Sequence, residues 1–336
     1  MKRLHADGDV EIFVAHHRMD ANTPFDESMF SWIDNRYEWD DEPNTNELIA
    51  LVRAFRPDAL LILGWHIRSY REVSRTLKGM VPRILYFDNS WRGTAKQWLG
   101  VLAAPVHVLP IADYAWVPGD RQRDFARRLG FKGLQIVEGS LSGDLDLFSS
   151  VYKHKAQSQI SSKAFLFVGR MVEEKGLKVL SRAYAKYRSH CSDPWTLICA
   201  GAGPLAAGLM SAEGVILKGF LQPRELAEVM LQASVFVLPS LFEPWGVVVN
   251  EAAAAGMPLI VSDSVGAHVH LVQSGYNGFV VETGSSDALA DAMMRMHRMP
   301  EKELGEMGRA STTLAAQYTP DRWAATLRRI VMGMYG

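Results

Sequence analysis

The sequence has only two cysteines, Cys191 and Cys199, and Cys199 stands in an apolar run with the look of a strand. A lone pair of this kind is neither a disulfide framework nor a metal-ligand pattern, so a reducing compartment is expected. Charge of one sign is also lacking, with 36 Lys and Arg against 37 Asp and Glu and a formal charge of −1. The two signs balance on either side of Ser161, which excludes the basic excess of a nucleic-acid binder. No apolar run approaches the roughly 20 residues that cross a bilayer. Met1-Lys-Arg leads into His5-Ala-Asp-Gly-Asp rather than the apolar core of a signal peptide. These absences give the expectation of a cytoplasmic protein with no transmembrane segment.

What is present is apolar side chain in quantity: 336 residues, 48% of them hydrophobic. At roughly 100–200 residues per domain, that length predicts two domains. One stretch organises the rest. From Phe236 an apolar run ends at Pro239-Ser240, a loop carries Glu243-Pro-Trp245-Gly246, and an alanine-rich run stops at Gly256 before a second apolar run ends at Asp263. Buried strand, loop, helix and strand are the expected elements. In such units ligands gather at the carboxyl ends of the strands, and a helix start offers amide N–H groups and positive dipole to a phosphate. Anion binding is therefore expected at Gly246, Val247 and Val248. Glu243 precedes that helix start, while Glu251 lies a turn or more inside the helix, so the two do not form a glycosidase-like acid and base pair. Each suits a hydroxyl instead, one on a sugar and one on a ribose, either side of a pyrophosphate. For Glu251, an ordinary early-helix carboxylate favoured by the dipole is the alternative.

Pro-Ser-x-Phe-Glu-Pro-Trp-Gly-x-x-x-x-Glu-Ala-x-Ala-x-Gly-x-Pro, with its Glu-x7-Glu, resembles the donor site of the retaining nucleotide-sugar glycosyltransferases called glycosyl transferases group 1. The likeness runs from about Phe165 to the C-terminus and thins toward residue 1. It implies the GT-B fold, an α/β architecture of two Rossmann-like parallel-sheet domains facing an interdomain cleft. It further implies transfer of a sugar from a nucleoside diphosphate sugar, UDP- or GDP-linked, to a hydroxyl acceptor with retention. Gly169-Arg170 through Lys175-Gly176 matches the family's element whose cations grip the donor diphosphate. Two phosphates carry about two charges at neutral pH, which a planar Arg fork and a Lys point charge can neutralise. Salt bridges to Glu173 and Glu174 are the alternative there. Lys218-Gly219-Phe220 matches the position that lines the nucleobase, and Gly201, closing another strand, joins the donor-binding set with Trp245.

The first half shows strands and helices in alternation, hence a parallel sheet. A first strand is expected over Val10–Ala15, followed by a polar loop from His16 to Asp26. Within that loop the family commonly has glycines, and this chain has none. A buried strand ends at Gly64-Trp65, and another ends at Phe87, followed by Asp88-Asn89-Ser90-Trp91. Asp88 there suits the orientation or deprotonation of an acceptor hydroxyl, or else it caps the next helix. Asp88 and Glu243 are the catalytic candidates; Trp65, Asn89 and Trp91 are the acceptor-binding ones, the indoles as packing faces for a sugar ring. The arginine-rich helix 120–130 leaves peripheral contact with lipid head groups open. Asp144-x-Asp146 has the spacing by which another glycosyltransferase fold holds a metal, yet it looks like the family's Gly-x-Asp-x-x-x-Phe segment. No metal and no cofactor beyond the sugar-nucleotide co-substrate is expected. The boundaries expected are an acceptor-side domain over 1–151, a linker over 152–163 and a donor domain over 164–318, with a C-terminal helix from about 319 packing back on the first domain. Two other readings use the same scaffold: a sugar-nucleotide-binding protein without turnover, and an epimerase or phosphorylase.

Overall fold

The computed structural model describes residues 1–18, 25–158, 163–210 and 213–334. The chain divides into two compact units, one of Met1–Leu141 with Pro320–Gly336 and one of Ser142–Thr319.

In the first unit, β1 (Phe13–His17) and β2 (Asn35–Trp39) form a parallel pair of their own. A separate parallel sheet follows in chain order, β3 (Leu60–Ile62), β4 (Arg83–Tyr86), β5 (Tyr114–Val117) and β6 (Ile136–Glu138). Helices Thr45–Phe55, Arg68–Thr76, Ala95–His107 and Asp120–Arg128 intervene. Each strand is short and apolar because both faces of a parallel sheet are covered. Ile84, Leu85, Ala115, Trp116 and Val117 have no exposed surface. The one buried cation of β4, Arg83, donates from Nε to Asp113 Oδ2 at 3.0 Å, and its NH2 group donates to Oδ1 at 2.7 Å. The C-terminal helix Pro320–Val331 belongs to this unit. Trp323 stacks on Trp116 with ring centroids 4.7 Å apart, and its indole N–H donates to the Ser140 carbonyl at 2.6 Å.

The second unit is a six-stranded parallel sheet of β7 (Ala164–Val168), β8 (Thr196–Ala200), β9 (Val215–Gly219), β10 (Val235–Leu238), β11 (Leu259–Ser262) and β12 (Gly278–Val281). Spatially the order is β12-β11-β10-β7-β8-β9. The chain works outward from β7 through β8 and β9, then returns to β10 on β7's other side and works outward again. That is the doubly wound arrangement, whose direction reverses between β7 and β10. Helices Leu177–Ser189, Pro223–Leu231, Val247–Ala254, Ser286–Arg298 and Glu301–Ala315 cover it.

Two sequence expectations need correction. The first strand runs over Phe13–His17 rather than Val10–Ala15, so His16 and His17 are strand residues, with His16 Nε2 3.4 Å from Glu38 Oε1. The rest of the expected loop falls partly on residues 19–24, outside the described residues. The linker expected over 152–163 is helical as far as Ser158, at the end of the helix Leu145–Ser158, and residues 159–162 lie outside the described residues. Polar Lys, Gln and Ser after Val151 end the apolar periodicity without ending the helix, because Lys, Ala and Gln are good helix formers.

Candidate functional site

The direction reversal between β7 and β10 is where an open doubly wound sheet receives a ligand, beyond the carboxyl ends of its strands. The residues after β7 and those after β10 meet there. Leaving β7, Gly169 donates its N–H to the Ala200 carbonyl, and Met171 donates to that of Ala202 at 2.7 Å. A Cβ on Gly201 would lie 1.9 Å from the Gly169 oxygen, and one on Gly203 2.6 Å from the Met171 oxygen. Only bare backbone lets these two loops run so close. Gly201 also donates to the Gly219 carbonyl at 2.6 Å, so the exits of β7, β8 and β9 lie side by side, with Gly219 exposed and Phe220 half-buried beyond them.

The chain then makes a 3-10 turn, Glu173–Lys175, and Gly176 adopts a left-handed φ of 70°. A Cβ at Gly176 would meet the Pro239 oxygen at 2.0 Å, which places this turn directly on the exit of β10. Leu241 donates to the Glu174 carbonyl at 2.7 Å, tying the two loops again. As a result Lys175 Nζ forms an ion pair with Glu243 Oε2, the side chains 14% and 12% exposed. Arg170 is different: its side chain is 59% exposed, with NH2 4.0 Å from Glu174 Oε2. The expected alternative of salt bridges to Glu173 and Glu174 therefore holds weakly for Arg170, whereas Lys175 pairs with Glu243.

Beyond Glu243 the loop is fastened from the other side. Gly266 donates to the Glu243 carbonyl and Ala267 to that of Trp245, both at 2.9 Å. A Cβ on Gly266 would sit 1.8 Å from the Pro244 oxygen. Gly246, at φ 96°, starts the helix Val247–Ala254, and no side chain caps it. The first amides of such a helix lack intrahelical partners, so Gly246, Val247 and Val248 present donors and positive dipole beside Lys175. Gly246 is buried, and Val247 and Val248 are partly exposed.

Trp245 does not present a face to a ligand. It is 1% exposed, its indole N–H donates to Asn250 Oδ1 at 2.9 Å, and its ring packs 5.4 Å from that of Tyr318. Glu251, one turn on, lies against the start of the unit: a Cβ on Gly143 would stand 3.2 Å from its Cγ. Burial first, and the neighbouring Asp144 second, push the Glu251 carboxyl up to about 7. That neighbour was missed in the sequence because Asp144 and Glu251 are far apart along the chain. Asp144 Oδ1 also accepts the Leu147 N–H at 3.1 Å at the start of the helix Leu145–Ser158, a structural use of this carboxylate.

In the first unit, Asp88 follows β4 with its side chain half-buried, and burial raises its carboxyl above the usual range. It does not cap the next helix. Thr94 does, accepting the Gln97 N–H at 3.3 Å. The backbone at Asp88 is held by Gln122, whose Nε2 donates to the Asp88 carbonyl at 3.0 Å. Asn89 is exposed beside it. Trp65 packs edge-on against Phe87 at 5.2 Å and joins the core cluster around Phe125, so its ring serves packing. Trp91 is half-buried, edge-on to Trp98 at 5.2 Å, with the Arg128 guanidinium 4.7 Å from its centroid. Both sugar-stacking expectations thus meet rings already engaged by protein. Among the described residues no cluster of three His, Cys, Asp or Glu is placed to hold a metal ion.

Two Rossmann-like parallel-sheet units, the second doubly wound with its strand-exit loops converging, define a GT-B fold. Solved structures agree. Sucrose-phosphate synthase from Thermosynechococcus elongatus superposes with a TM-score of 0.73 at 20% identity, covering 99% of this chain and 91% of that one. An Anabaena protein, HepE, solved in complex with UDP and glucose, gives 0.68 at 14% identity, covering 91% and 87%. Residues 151–311 match the model of the family described as glycosyl transferases group 1. An uncharacterized glycosyltransferase of Methanocaldococcus jannaschii is 34% identical over 139 residues, 39% of this chain and 35% of the relative. The chain spans about half, or less, of the length of the curated relatives it matches. No helix among the described residues is long and apolar enough to cross a membrane.

Proposed function

We propose that the protein is a retaining glycosyltransferase that binds a nucleoside diphosphate sugar at the reversal point of its second unit and transfers the sugar to a hydroxyl acceptor. The observation that carries this reading is the meeting of Lys175, Glu243 and an uncapped helix start at Gly246 on the exits of β7 and β10. Cation, carboxylate and amide donors are the set that a sugar joined to a diphosphate requires. Lys175, Arg170 and the amides of Gly246, Val247 and Val248 take the diphosphate, and Glu243, released from Lys175, accepts from a sugar hydroxyl. Glu251 accepts from the ribose, and the backbone around Gly201, Gly219 and Phe220 lines the base. UDP is the first nucleotide to try, since the structurally similar HepE was solved with it.

The chemistry asked of these residues is electrostatic. As the glycosidic bond breaks, charge grows on the leaving diphosphate, and fixed cations and amide dipoles stabilise it. In same-face attack the leaving phosphate helps draw the proton off the acceptor hydroxyl, which passes to Asp88, so retention needs no covalent nucleophile. Asp88 is the side chain of the first unit assigned to the acceptor hydroxyl, together with Asn89. No cofactor or metal is assigned a part.

The deciding experiment has two stages. Thermal melts with UDP, GDP and ADP identify the base, because a ligand that binds only the folded state raises the apparent melting temperature. Radiolabelled sugar nucleotide is then followed with and without acceptor. Label moved to an acceptor with its anomeric configuration kept is expected. Stabilisation without release of nucleotide would instead mark a sugar-nucleotide-binding protein, and stabilisation by no nucleoside diphosphate would overturn the reading altogether.

A further inference from the structure

The helix Ala95–His107 has its hydrophobic residues on the wrong side for a soluble helix. Trp98 is 53% exposed, Leu99 68%, Leu102 74% and Val106 66%, while Ala104 is its one buried residue. At 100° per residue these four side chains fall within one outward arc of the helix. Single exposed leucines are ordinary, but four apolar side chains in one continuous stripe mark a surface that something covers.

The charge around the stripe says what. From Asn89 to Ala112 the chain has no Asp or Glu, but has Arg92 and Lys96, both exposed. Arg128 lies over Trp91, which touches Trp98, so a third cation stands near the same end of the stripe, with Asp124 as its ion-pair partner at 2.9 Å. A second copy of this chain packed face to face about a two-fold axis would bring these cations toward one another. An anionic surface would complement them.

We propose that the outward face of the helix Ala95–His107 docks on an anionic lipid bilayer, with Leu99, Leu102 and Val106 entering the head-group and acyl boundary and Arg92 and Lys96 meeting lipid phosphate. This is a peripheral attachment, with a helix lying in the interface plane. It is independent of the activity proposed above, since it uses none of the donor-binding residues.

The test is co-sedimentation of the full chain with vesicles of phosphatidylcholine, alone or mixed with phosphatidylglycerol, alongside sedimentation velocity without lipid. Preferential pelleting with the phosphatidylglycerol vesicles, weakened by salt, is expected. The Leu99→Gln, Leu102→Gln double variant is expected to lose roughly tenfold in partitioning, as is Arg92→Glu, Lys96→Glu. All four side chains are exposed, so unchanged circular dichroism and melting temperature should accompany the loss. Equal recovery with both vesicle types, or with neither, overturns the proposal. So does a concentration-dependent dimer that the leucine substitutions dissolve, which would make the covering partner a second copy.

Discussion

Lys175 and Glu243 come from opposite sides of the strand-order reversal and are ion-paired across it, each mostly buried. A cation assigned to phosphate and a carboxylate assigned to sugar thus hold one another while no donor is bound. The donor must replace this contact with two of its own, phosphate on Lys175 and hydroxyl on Glu243. On the proposed function the pair serves stability in the free protein and recognition in the bound one, and substitutions can separate the two roles.

Lys175→Ala strands a mostly buried carboxylate, so it should lower stability by about 1–3 kcal/mol as well as weaken nucleotide binding. Adding Glu243→Gln removes the stranded charge. The double variant is expected to regain most of the melting temperature but none of the affinity for a nucleoside diphosphate. Recovery of both together would mean that Lys175 acts on the fold alone.

Arg170→Ala should leave the melting temperature unchanged, because its exposed side chain reaches only Glu174, at 4.0 Å. Loss of a charge-assisted contact to phosphate is worth roughly 1.5–3 kcal/mol, so titration calorimetry should show affinity weaker by an order of magnitude or more. Wild-type affinity in this variant would remove Arg170 from the site.

Glu251 carries a pH signature. Its carboxyl is raised to about 7 in the folded protein, against an ordinary value of 4.5. Between those two pH values the folded state holds a proton that the unfolded state has lost. This contribution to stability is complete below the unfolded value and fades as pH rises through 7. Glu251→Gln should flatten that part of the melting profile, and Asp144→Asn should shift it to lower pH. A wild-type profile in the Gln variant would mean that Glu251 titrates normally.

Asp88→Asn distinguishes chemistry from scaffolding, since Thr94 rather than Asp88 caps the following helix. The amide keeps the shape but cannot take a proton, so transfer is expected to fall by about 10²-fold or more while nucleotide affinity stays constant. Unchanged transfer would leave the phosphate-assisted route as the only one.

Transfer should survive excess chelator, because Arg170, Lys175 and the helix start supply the positive charge that a divalent ion would otherwise bring to the diphosphate. Activity abolished by chelator and restored by Mn²⁺ or Mg²⁺ would refute this assignment.

The second unit was legible in the sequence because its signals are local. An apolar run into Pro239, a helix ended by Gly256 and a run into Asp263 each declare themselves within a few residues, and all three elements are there. Side-chain direction was not local. Whether Trp245 faces a ligand depends on Asn250 and Tyr318, and whether Glu251 titrates normally depends on Asp144. The first unit was harder to read: β5 and β6, four and three residues long, sit among helices with no pattern of their own. The helix through Ser158 is marked by Leu145, Phe148 and Val151 and then continues on propensity alone, where periodicity offers no guide.

The loop 241–246 is stitched through Leu241 and Phe242 to Glu174 on one side and through Glu243 and Trp245 to Gly266 and Ala267 on the other. Its backbone is therefore ordered before any ligand arrives. Freezing a residue's backbone costs about 1–2 kcal/mol, and here folding has already met that cost. Association then has to quiet only the long side chains of Arg170, Lys175 and Glu243. A nucleotide should accordingly bind with little change in hydrogen exchange at the already paired amides of Leu241, Phe242, Gly266 and Ala267, while the Gly246 amide that meets phosphate gains protection, and with its entropic penalty confined to rotamers.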